Sequence, residues 1–124
     1  MSELKEYFIT ATDTDAGKTL VSTALTKALV ANNNKVAVFK PISAGCELIE
    51  NVLVNDDAKQ LMDASNSGQT IQNVNPIAYL EPIAPHIAAR KVGQAITIET
   101  IQQYYQKVKA IEADVTLVEG GEQL

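Results

Sequence analysis

The chain is poor in cysteine, in histidine, in positive charge and in long apolar runs, and each shortage excludes a class of protein. A single cysteine, Cys46, among 124 residues cannot form an internal disulfide, which fits a reducing compartment. One cysteine and one histidine cannot compose a Cys/His zinc cluster. Ten Lys+Arg against fifteen Asp+Glu leave a net charge of −5, which argues against a nucleic-acid partner, because such proteins need a basic face against phosphates. One loop can still hold a phosphate locally. No apolar run approaches the roughly 20 residues a membrane-spanning helix needs. The first residues, Met1 to Glu6, are charged and lack the apolar stretch of a signal peptide. The expectation is a soluble, cytoplasmic protein with no membrane partner. Hydrophobic residues at 46% and charged residues at 20% are ordinary globular proportions. The length fits one domain.

What is there is a strand–helix–strand pattern. Tyr7-Phe8-Ile9-Thr10 is a short β-rich run. A polar turn, Ala11 to Thr19, follows it. Leu20, Val21, Ala24, Leu25, Ala28 and Leu29 then recur at helical spacing and form an apolar stripe. Asn32-Asn33-Asn34 stops that helix, and Val36-Ala37-Val38-Phe39 is a second strand, running into Lys40-Pro41. Asp56 to Met62 reads as a short helix. The stretch from Asn73 to Pro85, rich in proline, reads as extended loop. A further helix spans Ile98 to Glu112, with Thr97 as its N-cap and Ile101, Tyr105, Val108 and Ile111 on one face. Asp114 to Gly121 is a third strand, ending in an acid and two glycines. Strands without polar alternation suit a parallel sheet covered on both faces, with right-handed crossovers.

Gly17-Lys18-Thr19 stands between a strand and a helix. Helix N-termini leave backbone N–H groups free and carry positive partial charge, so phosphate binds there. In that reading Gly17 lets the backbone approach, Lys18 reaches the β- and γ-phosphates, and the Thr19 hydroxyl ligates Mg²⁺. The usual G-x-x-x-x-G-K-[ST] spacing is not met, because its first glycine falls on Thr12. The plainer reading is a tripeptide that opens an ordinary helix. Two acids can complete a metal site: Glu119 at a strand end and Asp57, beside Asp56, at a helix start. Asp57 is equally read as a helix cap, and Glu119 as a solvated strand end. Open parallel sheets bind ligands at the C-terminal ends of their strands. The Ala11–Thr19 loop, Lys40 and Glu119 all follow strand ends, so they should converge on one edge of the sheet.

Taken in order, several segments resemble dethiobiotin synthetase. They are Thr12-Asp13-Thr14-Asp15-Ala16-Gly17-Lys18-Thr19, Phe39-Lys40-Pro41-Ile42-Ser43-Ala44-Gly45, Asn55-Asp56-Asp57-Ala58, Asn75-Pro76, Glu81 to Ala89 and Leu117-Val118-Glu119-Gly120. The resemblance covers the whole chain but about the N-terminal half of that family. It implies an α/β fold, a P-loop NTPase-like parallel sheet flanked by helices, here stopping after three or four strands as one incomplete nucleotide-binding domain over 1–124. It also implies the reaction of CO₂ and ATP with a diamine, 7,8-diaminopelargonic acid, in biotin biosynthesis. A carbamate and a carbamic–phosphoric anhydride lie on that path.

Carried over position by position, the resemblance makes Lys40, Thr14 and Lys18 catalytic. Asp15, Ala16, Gly17, Lys18, Thr19, Asp57 and Glu119 hold the nucleotide. Thr19, Asp57 and Glu119 hold Mg²⁺. Lys40, Ser43 and Ala44 meet the substrate, and the full-length family is a homodimer. Two positions depart from the family pattern: Ala11 stands at its first loop glycine, and Ala44 where a hydroxyl is common. His86 and Cys46 read as structural residues. The alternatives are a nucleotide-binding remnant that turns nothing over, and another P-loop ATPase relative. Among the latter, partitioning ATPases carry a lysine where this chain has Asp13.

Overall fold

A computed structural model describes residues 5–9, 15–83, 85–91, 93 and 96–120, with residues 9, 15–18, 85 and 86 described by their backbone alone. Three parallel strands form the main sheet. They are β1 (Lys5–Ile9), β2 (Val36–Phe39) and β7 (Val115–Glu119), in the order β1-β7-β2. β7 is buried along its whole length and β2 likewise, as apolar strands with helices on both faces must be.

The register aligns Val36 and Val38 with Val115 and Leu117, and Ala37 and Phe39 with Thr116 and Val118. Period-two alternation therefore sorts the core into two layers. On one face Val36, Val38, Val115 and Leu117 pack with Ala58, Leu61 and Val74, and with Leu29 and Val30 of helix α1 (Asp15–Ala31). Ala58 and Leu61 belong to α2 (Asp56–Ala64), and Val74 to the short α3 (Ile71–Val74). On the other face Ala37, Phe39 and Val118 pack with Val108, Ile101, Tyr104 and Tyr105 of α5 (Ile98–Lys109) and with Ala113 beyond it. The Phe39 and Tyr105 rings meet at 5.4 Å between centroids, tilted by 30°, an arrangement aromatic pairs favour. The α/β class with a parallel sheet flanked by helices is thus the one read from the sequence.

Local signals explain the helix ends. Thr97 caps α5 by accepting from the Thr100 N–H at 3.1 Å, and Asn55 caps α2 by accepting from the Ala58 N–H at 2.9 Å. Asn33, at φ 67°, carries the left-handed turn that ends α1.

Four features differ from the pattern read in the sequence. The apolar stripe of α1 does not face the core: Leu20, Val21, Ala24, Leu25 and Ala28 are exposed, and of those six only Leu29 packs inward. The face turned to the sheet carries Thr19, Ser22 and Thr26, all buried, whose small side chains let the helix approach closely. Thr26 satisfies its hydroxyl by donating to the Ser22 carbonyl at 2.7 Å, the local bond that makes such residues acceptable inside a helix. Second, β1 is exposed, with Tyr7 at 43% and Phe8 at 67%. Third, the stretch from 73 to 85 is not all loop, for it includes the end of α3 and β6 (Ile77–Ala78), which pairs in parallel with β3 (Ile42–Ser43). Fourth, an antiparallel hairpin, β4 (Glu47–Ile49) with β5 (Val52–Val54), turns through Glu50 and Asn51, both at positive φ. A helix α4 (Pro85–Lys91) follows β6.

The outer edge of β2 is closed by side chains. The Asn66 amide oxygen accepts from the Val36 N–H at 2.7 Å. Gln69 accepts from the Val38 N–H and donates to the Val38 carbonyl, both at 2.8 Å, as a neighbouring strand would. The Lys40 N–H then donates to the Val74 carbonyl at 2.8 Å. Every outward N–H from Val36 to Lys40 is met, as buried backbone requires.

Candidate active site

The C-terminal ends of the strands gather three side chains. Glu119 is the last residue of β7 and Lys40 follows β2 directly. Thr19 stands on the sheet-facing side of α1, one residue after the first helical turn of 15–18. Thr19 donates to Glu119 Oε1 at 3.1 Å, and Lys40 Nζ donates to the same oxygen at 3.3 Å. The Lys40 and Glu119 side chains are 7% and 1% exposed. Two opposite charges so far from water are tolerable because each neutralises the other.

The second carboxylate oxygen, Glu119 Oε2, is buried without a hydrogen-bond partner among the described residues. Leaving such an acceptor unmet costs roughly 1–3 kcal/mol, and more when it is charged. Beside it lies the Thr19 hydroxyl. An unmet carboxylate oxygen next to a hydroxyl is an all-oxygen donor set, which a small hard divalent cation such as Mg²⁺ accepts while it keeps water or phosphate oxygens as its remaining ligands. Among the described residues no cluster of three or more His, Cys, Asp and Glu gathers.

The convergence expected from the strand ends is therefore met for Thr19, Lys40 and Glu119. Asp57 is half-buried in the first turn of α2, which packs along α1; it is not one of the groups hydrogen-bonded to Glu119 Oε1. Residues 15 to 18 form the first turn of α1, where helix N–H groups are free of intrahelical partners. Ala11 and Thr14 lie outside the described residues.

Lys40 is held by its own backbone as well. Asn75, at the end of α3 and nearly fully buried, donates to the Lys40 carbonyl at 2.7 Å and accepts from the Ser43 hydroxyl at 2.6 Å. Ser43 also lies 3.2 Å from the Cys46 thiol, which is buried and free. The Ser43 proton is thus engaged within the protein, and Ala44 beside it is half-buried. The Gly45 N–H donates to the Glu81 carbonyl and the Cys46 N–H to the Tyr79 carbonyl, each at 3.0 Å. Gly45 has φ 67°, and a Cβ there would sit 3.3 Å from the Pro82 side chain. These bonds join the Lys40–Gly45 segment to the proline-containing segment at 81–83. Sequence alone does not mark Asn75 as functional, because a buried amide that orients backbone has no chemical signature of its own. Its only signal was the Asn75-Pro76 pair.

Residues 5–124 match the family described as AAA domain. The chain is 44% identical over 117 residues to a protein named ATP-dependent dethiobiotin synthetase BioD from Pseudoalteromonas translucida. It is 46% identical over 123 residues to the protein of that name from Alteromonas mediterranea, and 43% identical over 117 residues to the one from Aeromonas salmonicida. Each match covers 94% of this chain and 52% of the relative. The chain spans about half the length of the curated relatives it matches. With its parallel sheet, its flanking helices and this match over 5–124, the chain belongs to the AAA-domain family, and within it resembles the dethiobiotin synthetases.

Proposed function

We propose that the chain provides the phosphate-handling part of an ATP-dependent dethiobiotin synthetase of biotin biosynthesis. The observation that carries this reading is the meeting of Thr19 and Lys40 on one oxygen of a buried Glu119, on a chain 43–46% identical to three synthetases of that name.

In this reading one amine of 7,8-diaminopelargonic acid takes up CO₂ and loses a proton, giving a carbamate. A carbamate oxygen attacks the γ-phosphorus of ATP, the bond to ADP breaks, and a carbamic–phosphoric anhydride results. The second amine attacks the carbamate carbon, phosphate leaves, and the cyclic urea closes. Such chemistry asks the protein mainly for position and charge. The free N–H groups at residues 15–17 and the Lys18 ammonium cradle the phosphates, while Thr14 hydrogen-bonds them or the anhydride. Lys40 binds the carbamate and the phosphoryl group as it transfers, with Asn75 fixing the lysine's backbone. Ser43 and Ala44 border the substrate on the same segment. Thr19, Asp57 and Glu119 would hold Mg²⁺, directly or through water, and the ion supplies charge neutralisation on the phosphates when bound. Lys40 and Glu119 neutralise each other before ligands arrive, so neither charge stands alone in a buried site.

The test is phosphate release by the chain with MgATP and bicarbonate, with and without the diamine, beside Lys18→Ala. Diamine-dependent release that the variant loses is the expected result. Release that is indifferent to the diamine favours another P-loop ATPase relative. MgATP binding with no release by a folded chain favours a nucleotide-binding remnant. Undiminished turnover in Lys18→Ala removes the loop from the mechanism.

A further inference from the structure

Lys40 stands just past the paired part of β2. The register of β2 and β7 runs to Phe39 and Val118, so Lys40 is one step further on, beside Glu119. Its backbone is held there from the other side, by residues 74 and 75. The Lys40 N–H donates to the Val74 carbonyl at 2.8 Å. The Lys40 carbonyl finds no backbone donor among its neighbours at 75–77. The Asn75 N–H is engaged by the Ile71 carbonyl at 2.7 Å, and the Ile77 N–H by the Pro41 carbonyl at 2.9 Å. Pro76, between them, has no N–H. A buried carbonyl must still be met, and the Asn75 side-chain amide meets it at 2.7 Å. The Asn75-Pro76 pair thus both creates the shortage and fills it.

We infer that Asn75 is a positioning residue for Lys40, and that the Ser43 hydroxyl locks the Asn75 amide in the orientation this requires. The inference rests on the reading of Lys40 as the group that meets the carbamate and the transferring phosphoryl group; Asn75 and Ser43 act through it.

An amide side chain can present either its oxygen or its nitrogen to a given neighbour. Here the Ser43 hydroxyl decides. It donates to Asn75 Oδ1 at 2.6 Å, which turns Nδ2 toward the Lys40 carbonyl. The reversed amide would set oxygen against oxygen at Lys40 and leave the Ser43 proton facing an NH₂ group. The Cys46 thiol, 3.2 Å from the Ser43 oxygen, closes the other end of this chain of bonds. Ser43, Cys46 and Asn75 are all buried, so water does not compete for the bonds and the low local dielectric strengthens them. With its N–H and carbonyl both fixed, Lys40 reaches Glu119 Oε1 at 3.3 Å by its side-chain torsions alone. A loose backbone at 40 would spread the ammonium over positions that miss that oxygen. Misplacing a reacting group by about 1 Å costs about a hundredfold in rate.

The test is heteronuclear NMR of the lysine ammonium groups in the ligand-free chain, with Lys40→Arg identifying the Lys40 signal. A buried, hydrogen-bonded ammonium exchanges its protons with water slowly enough to be seen. Asn75→Ala should speed that exchange about tenfold or more, while the Val38 and Val118 amides stay protected and the circular dichroism is unchanged. Ser43→Ala, the smaller change, should speed it about threefold with no substrate present, and should add nothing in the Asn75→Ala background. Met62→Ala, whose side chain packs on the core from α2, should lower stability and leave the Lys40 signal in place. Absence of a slow Lys40 signal in the parent chain, a signal indifferent to both Asn75→Ala and Ser43→Ala, or one equally disturbed by Met62→Ala each overturns the proposal. The second readout is diamine-dependent phosphate release, where Asn75→Ala should lower kcat about tenfold or more with the KM for ATP unchanged. A loosened ammonium with unchanged kcat keeps the positioning role and overturns the catalytic reading of Lys40, so the two failures are told apart.

Discussion

Replacing Lys40 by methionine removes the ammonium and leaves the Glu119 carboxylate in the same buried place. The side chains are 7% and 1% exposed, so water cannot replace the lost partner. Breaking a buried pair by removing one member costs about 3–5 kcal/mol. Domains of this size hold about 5–15 kcal/mol in total, so a large share of the stability should go. Each kcal/mol moves the melting temperature by roughly 3–6 °C at this length, which predicts a fall of about 9–30 °C. Glu119→Gln keeps the shape and strands the lysine instead, at a similar cost. The double variant removes both charges, so its loss should fall short of the summed single losses by up to about 3 kcal/mol. Thr19→Val is the control, because it takes one hydroxyl donor from the same oxygen, at roughly 1–3 kcal/mol. Urea unfolding followed by far-UV circular dichroism gives all four values. Single losses below about 1 kcal/mol, in the range of exposed pairs, or strict additivity in the double variant, would refute a buried, mutually neutralising pair.

Two further predictions concern the rest of the fold. Gln69→Ala uncovers the Val38 N–H and carbonyl, so it should cost about 1–3 kcal/mol in urea unfolding and speed exchange of the Val38 amide; an unchanged amide would show that the edge is not held by Gln69. Burial pushes the Tyr105 phenol up to about 12, and the nearby Glu6 carboxylate adds to the effect. Between the ordinary tyrosine value of 10.0 and about 12 the folded chain keeps a proton that the unfolded chain has lost. Tyr105 thus contributes stability that is fully present below about pH 10 and is lost as pH rises through 12. Phenolate absorbance of the folded chain should show an ionisation near 12 that Tyr105→Phe removes, and the variant should flatten the alkaline fall in stability. An absorbance titration of the folded chain that Tyr105→Phe leaves unchanged near 12 would contradict this.

The elements most legible in the sequence are those whose burial and periodicity agree. β2 is an uninterrupted apolar run, β7 is apolar apart from Thr116 and its terminal Glu119, and α5 combines a capping Thr97 with Ile101, Tyr105 and Val108 on one face. The convergence of Thr19, Lys40 and Glu119 was legible too, because a parallel sheet puts all its strand ends on one side. Their common oxygen was not legible, since strand order and helix rotation decide it and neither is local. The closing of the β2 edge was hidden for a different reason. Asn66 and Gln69 read as loop polarity until their amides are seen copying a strand's hydrogen bonds. The β4–β5 turn uses Glu50 and Asn51 at positive φ, where the usual turn signal is Asn-Gly.

Helix α1 is the instructive case, because spacing shows its periodicity but not its orientation. Spacing shows that Leu20, Val21, Ala24, Leu25 and Ala28 share a face; it does not show what that face meets. Two demands compete for the sheet side of α1. Burial of leucine and valine there would release roughly 1.5–3 kcal/mol per side chain. The Thr19 hydroxyl, however, reaches Glu119 only if that side is turned inward, and Ser22 and Thr26 follow it at helical spacing into the same buried row. With the polar row inward, the apolar row must face away from this sheet. Such a stripe leaves apolar side chains exposed on a helix whose other side serves the candidate site. β1 makes the same argument from a strand, with Phe8 exposed on a sheet whose opposite edge is fully closed. Helix and strand both leave apolar side chains exposed, while the β2 edge is closed. The bond from Thr19 to Glu119 explains why α1 is turned as it is, and the exposed apolar row is the physical consequence of that turn.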